Sequence, residues 1–147
     1  MIYCDTSFLA ALYLPEEVFE PRARTIASNF NRSIPYPWLL ELELYNAVYR
    51  GLGRNLYDRR NCNSILRQIS ADKISGILSA WSVDNDALFK GAMELSRRFA
   101  AARQCRTLDT LHVAAAVEFK AETIASFDHR QRKLAASAGL NLLPEDL

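Results

Sequence analysis

The chain opens with a short buried-strand signature that runs straight into a helix. Ile2-Tyr3-Cys4 is the strand, Asp5-Thr6-Ser7 the joint, and Phe8 to Leu14 an apolar helix. The joint restricts the fold strongly. An acid at such a position lies at the carboxyl end of its strand, the edge where open α/β sheets gather their ligands. Thr6 or Ser7 can cap the helix that follows. A second joint of this kind comes near the end. Thr123-Ile124-Ala125-Ser126-Phe127-Asp128 reads as a strand ending in an acid, followed by a helix from His129 to Ala138 that Gly139 closes.

Helices dominate the stretch between the two joints. After a break at Pro15-Glu16-Glu17, Glu17 to Phe30 reads as a helix. Ser33 to Pro37 is extended, because each proline pushes its predecessor out of helical geometry. Pro37 suits the start of a third helix, Trp38 to about Leu52. Asn55 to about Ile69 reads as a fourth, with Leu56, Cys62, Ile65, Leu66 and Ile69 facing inward. Lys73 to Leu78 is a strand or a strand-like connection. Asp84 or Asn85 starts a helix to about Arg103. Thr107 to Lys120 is apolar nearly all round, so it belongs between neighbours. Leu140 to Leu143 is a last strand, which Pro144 stops. Strands alternating with helices put the chain in the α/β class, with a small parallel sheet and helices on both faces. At 147 residues one domain, 1–147, is expected.

Net charge is +1, so no whole-molecule field draws the chain to nucleic acid. The cations are fourteen Arg and four Lys, and Arg offers a planar fork suited to phosphate and carboxylate. Arg50, Arg54, Arg59 and Arg60 cluster locally, as a phosphate-holding patch or as a solvated surface. Cys4, Cys62 and Cys105 fit neither a metal-site spacing nor a disulfide framework. They are expected as reduced thiols in a cytoplasmic protein. Asp5 interrupts any signal-peptide pattern, and no apolar run reaches the roughly 20 residues that span a bilayer.

Four carboxylates stand out. Asp5 and Asp128 follow strands. Asp109 begins a buried helix, where the dipole favours an anion; a plain helix-terminus charge is the other reading. Glu43 shares a stripe of the third helix with Asn46 and Arg50, while Leu40, Leu44 and Ala47 form the core stripe. Glu41 points about 200° away from Glu43, so only one of the two can face a common site. Asn46 and Arg50 favour Glu43; the other reading of this stripe is a polar face turned to solvent. If the strands before Asp5 and Asp128 are parallel neighbours, their carboxyl ends lie about 5 Å apart. Crowded carboxylates repel one another, and a hard divalent cation offsets that repulsion. Such a cation can activate water and stabilise charge on a phosphodiester. His112 reads as a packed residue and His129 as a surface residue at a helix start.

Tyr3 to Ser7, Glu43 to Ala47, Leu108 to Ala116 and Ser126 to Asp128, in that order, resemble the PIN domain, and more narrowly its VapC-type toxins. The resemblance implies a compact three-layer α/β/α fold, with a small, mainly parallel central sheet flanked by helices. It implies a ribonuclease dependent on Mg²⁺ or Mn²⁺, with Asp5, Glu43, Asp109 and Asp128 as the acidic site. Asp5 and Asp109 are expected to bind the cation most directly. Asn46 matches a family residue that braces the site. Ser126 stands where the family often has Thr. Thr6, Ser7 and Ser126 are candidates to orient the carboxylates, and capping is the competing role of the two serines. Arg50 and Arg54 are candidate RNA-phosphate contacts. A VapB-like antitoxin and a homodimer are the partners implied, besides RNA. Phe8, Leu12, Tyr13, Val18 and Phe30 form an antitoxin groove or plain core. The rival functions are a non-catalytic RNA- or protein-binding module and a hydrolase of another phosphate ester.

Overall fold

Tyr3 and Cys4 are fully buried, which is what holds so short a first strand in place. The computed structural model describes residues 1–15 and 17–147. In chain order its elements are β1 (Ile2–Cys4), α1 (Thr6–Tyr13), α2 (Glu20–Ala27), β2 (Ile34–Pro35), α3 (Trp38–Gly53), α4 (Arg59–Ile74), β3 (Leu78–Ser79), α5 (Asn85–Arg103), α6 (Thr107–Glu118), β4 (Thr123–Ala125), α7 (His129–Ser137) and β5 (Asn141–Leu143). They fall into two units, Met1–Asp5 with Ser82–Leu147, and Thr6–Trp81. Among the described residues no helix is long and apolar enough to cross a membrane.

The first unit is built on a parallel three-stranded sheet of order β1-β4-β5. Ile2 pairs with Thr123 and Cys4 with Ala125; Ala125 in turn pairs with Leu143. The expected neighbouring of the first strand and the Thr123 strand is therefore present. That second strand is shorter than expected. It ends at Ala125, because Asp128 turns back to cap α7. The capping carboxylate accepts from the N–H groups of Arg130 and Gln131. Asp84 caps α5 in the same way, and Leu88, Ala92 and Leu95 form its buried stripe. The run of small residues in α6 allows close packing against α5: a Cβ on Gly91 would lie 3.4 Å from that of Ala114. α6 is not apolar-buried all round, since Leu108 and Val117 near its two ends are exposed.

The second unit contains the helices α1 to α4 and a parallel pair, β2 with β3. Ile34 and Tyr36 donate to Ile77 and Ser79 at 2.8 and 2.7 Å. The N–H that Pro35 lacks falls between those rungs, so the proline costs the pair nothing. The helix expected over 17–30 is shorter, because Pro21 has to lie in its first turn, where a missing N–H is harmless. Val18 thus precedes the helix and is exposed. Glu16, in the expected break, lies outside the described residues. The fourth helix starts four residues late. Asn55 adopts a left-handed φ of 58°, Leu56 is exposed, and Asp58 is the true cap, accepting from Asn61 N–H at 2.8 Å. The same helix runs on through Lys73 and Ile74, which leaves only Leu78–Ser79 as strand.

Gly51 shows how tightly α3 is packed. Tyr57 folds back over the helix and donates its hydroxyl to Val48 O at 2.6 Å, and a Cβ on Gly51 would collide with that phenol. Gly53, two residues on, faces open space. Gly51→Ala is expected to lower stability by about 1–3 kcal/mol through overpacking. Gly53→Ala should be neutral or raise it by up to about 1 kcal/mol. Urea denaturation of the two variants checks the contrast; equal effects would contradict it.

Candidate functional site

Asp5 follows β1 directly. Its main-chain N–H donates to Ala125 O at 3.0 Å and continues the β1–β4 ladder by one rung. The side chain is only 3% exposed, and a carboxylate taken out of water needs donors. Ser126, fully buried just past β4, supplies one: its hydroxyl donates to Asp5 Oδ2 at 2.6 Å. The same Oγ accepts the N–H of Asp128 at 3.1 Å. A serine hydroxyl has a single proton, so this arrangement commits it to Asp5.

Asp109 is the third residue of α6 and is buried. Its Oδ2 accepts from Arg106 N–H at 2.7 Å, so the helix-terminus role is present. Its Oδ1 makes no hydrogen bond among the described residues. Asp128 is exposed and similar: Oδ1 caps α7 at 2.7 and 3.1 Å, and Oδ2 is unengaged among the described residues. Each acid thus spends one oxygen on local structure and keeps the other available.

Glu43 is half-buried on α3, between the buried Leu40 and Leu44. Thr6, the first residue of α1, donates its hydroxyl to Glu43 Oε2 at 2.5 Å. Glu41 faces another way and pairs with Lys73. Ser7 is half-buried in the first turn of α1, and Asn46 is exposed. Arg50 and Arg54 are exposed and line a recess of about 180 Å³ with Ala47, Gly51 and Tyr57. Leu12, Tyr13 and Phe30 of the expected groove line a larger recess of about 990 Å³, whereas Phe8 is fully buried core.

Among the described residues, no three His, Cys, Asp or Glu side chains are gathered into a group that could hold a metal ion. The donors on offer are carboxylate oxygens, two of them with an unengaged atom. Carboxylate oxygens are hard donors, the type that Mg²⁺ or Mn²⁺ takes in preference to a softer ion, and Mg²⁺ keeps most of its water and needs only one or two of them directly. His112 is buried, with Nδ1 2.9 Å from the Tyr3 hydroxyl, and packs as expected. His129 is exposed at the start of α7.

One residue escaped the sequence reading. Arg132 is only 6% exposed, and its guanidinium donates to Ser126 O at 3.0 Å and Pro144 O at 2.7 Å. The available signal was a cation three residues before Ala135, on the apolar stripe of α7.

The model of the PIN domain family matches residues 2–137. The crystal structure of VapC20 from Mycobacterium tuberculosis, described as a Sarcin-Ricin loop cleaving toxin, is similar with a TM-score of 0.71 at 19% identity. The alignment covers 95% of this chain and 96% of that one. FitAcB from Neisseria gonorrhoeae is similar with a TM-score of 0.67 at 14% identity, over 99% and 98% of the two chains. Both share the α/β fold of this chain. No curated protein matches by sequence.

Cys4 precedes Asp5 and is completely buried. Burial first, and the Asp5 charge second, push its thiol well above the ordinary range. The folded state therefore holds the Cys4 proton where an unfolded chain releases it. Cys4 contributes stability in full below about pH 8.5 and loses it as pH climbs above that value. Iodoacetamide at pH 9 is expected to leave Cys4 unmodified in the native protein and to label it after denaturation. Peptide mass mapping checks this; native labelling at the rate of a free thiol would refute it.

Proposed function

Because the family model runs through residues 2–137, the chain belongs to the PIN domain family, and from that premise we propose that it is a metal-dependent endoribonuclease, the toxin of a VapBC-type toxin–antitoxin pair. The observation that carries this reading is Asp5. It is a buried carboxylate at the carboxyl end of a parallel strand, held through Oδ2 by the Ser126 hydroxyl.

Asp5 and Asp109 would hold Mg²⁺ or Mn²⁺ most directly, with Glu43 and Asp128 completing its surroundings. Such a cation, when bound, supplies an activated water and stabilises the charge of a phosphodiester under attack. The chain's own residues set up that chemistry. Ser126 donates to Asp5 and so fixes which oxygen is turned away from the hydroxyl. Thr6 does the same for Glu43. Ser7 and Asn46 are assigned supporting roles. Arg50 and Arg54, both exposed, supply cations for RNA phosphates, a contact that weakens with salt. The buried, protonated Cys4 takes no nucleophilic part. Residues 1–147 act as one functional domain in this reading.

The partners follow the same line. VapC20 is described as a toxin, which supports a VapB-like antitoxin for this chain, and a homodimer is the assembly proposed. The cytoplasm, where both RNA and antitoxin are found, is the proposed location.

Asp5→Asn is expected to remove RNA cleavage in Mg²⁺ or Mn²⁺ while leaving the fold intact. The loss should exceed the about 10–100-fold typical of an outer-sphere partner. EDTA should silence the wild type, and Mn²⁺ should raise its Tm by binding the folded state. Undiminished cleavage by folded Asp5→Asn would overturn the assignment.

A further inference from the structure

The carbonyl of Ser126 lies where the β4–β5 ladder runs out. Ser126 N–H still donates to Leu143 O at 2.9 Å. The next rung in a parallel register would bring an N–H from beyond Leu143 to Ser126 O. That rung is missing, because β5 ends at Leu143 and Pro144 follows. A buried carbonyl needs a donor. Arg132 provides it from α7: Nη1 donates to Ser126 O at 3.0 Å and Nη2 to Pro144 O at 2.7 Å. One guanidinium thus ties together the residues just past β4 and β5, with the two donors of a rigid fork.

Ser126 is also the residue whose hydroxyl donates to Asp5 Oδ2 at 2.6 Å. A hydroxyl can aim at a carboxylate only as well as its own backbone is fixed. On one side Asp128 N–H holds the Oγ at 3.1 Å. On the other, Arg132 holds the carbonyl. We propose that Arg132 is a positioning residue for the Asp5 carboxylate: it acts through Ser126 and thereby sets the affinity of the cation that Asp5 receives. The proposal rests on the metal-binding reading given above. In this proposal Arg132 acts on the cation only through Ser126 and Asp5. Its guanidinium remains charged at every working pH, so the tie does not switch off by titration.

The test is Mn²⁺ binding to the full chain, followed by calorimetric titration without RNA. Arg132→Met keeps the bulk of the stem and removes both donors. It is expected to weaken Mn²⁺ binding by about 10-fold or more, as loss of an outer-sphere partner does. Ser126→Ala should weaken it to a similar extent. The double variant should be no worse than the weaker single, because both changes cut the same tie. A purely structural role for Arg132 would lower Tm without this coupling. If Arg132→Met does not fold, Arg132→Lys carries the test: one ammonium cannot reproduce the fork, so its Mn²⁺ affinity should fall between wild type and Ser126→Ala. Wild-type affinity in a folded Arg132 variant, or losses that simply multiply in the double variant, would overturn the proposal. Asp5→Asn separates the two levels. If wild type and Asp5→Asn bind Mn²⁺ equally, the metal reading falls and the proposal with it. If Asp5→Asn loses binding and Arg132→Met does not, only the positioning role falls.

Discussion

A carboxylate that is 3% exposed has given up most of its hydration, and the protein has to replace what water supplied. For Asp5 one part of that replacement is the hydroxyl of Ser126, on the neighbouring strand's continuation, at 2.6 Å. That bond requires β1 and β4 to be parallel neighbours in register, so that Cys4 lies beside Ala125 and Asp5 comes level with Ser126. It also places Ser126 just past β4, where its N–H still bonds Leu143 O while its hydroxyl turns to Asp5. The short sheet and the interrupted strand serve the same end. Longer strands would bury more backbone hydrogen bonding but would leave no irregular backbone at the sheet's end on which to mount side chains.

The other acids follow the same economy of local structure. Asp109 and Asp128 both stand at helix N-termini and use one oxygen to satisfy orphan N–H groups. The backbone bond fixes the side chain's rotamer and leaves the second oxygen available. Capping and ligand binding are therefore not rival explanations of these residues. A cap is a way of holding a carboxylate still. Glu43 lies mid-helix, and one of its oxygens is held by the hydroxyl of Thr6, the residue after Asp5 in sequence.

Arg132 illustrates what a fold does with a backbone group that its regular structure cannot satisfy. The β5 strand ends before Ser126 O finds a partner, and a buried guanidinium fills the gap. A cation with two fixed donors suits two carbonyls that diverge from adjacent strand ends. The arrangement is costly to dismantle, because removing the side chain would strand two buried acceptors at once.

Local patterning in the sequence determined a good deal: which segments are strands and which are helices, the joints at Asp5 and Asp128, the packed character of His112, and the divergence of Glu41 from Glu43. These follow from period, proline placement and helical angle, all of which act over a few residues. Element ends were less legible where a single backbone conformation decides them. Pro21 shortens α2, and the left-handed Asn55 delays α4 until Asp58. Only the tertiary structure decided that Thr6 serves Glu43, that Ser126 serves Asp5 across 121 positions of chain, and that Arg132 is buried rather than solvated. Those are contacts between segments far apart in sequence. Their partners are chosen by strand register and by which backbone groups remain unsatisfied once the sheet has formed, and neither quantity exists until the chain has folded.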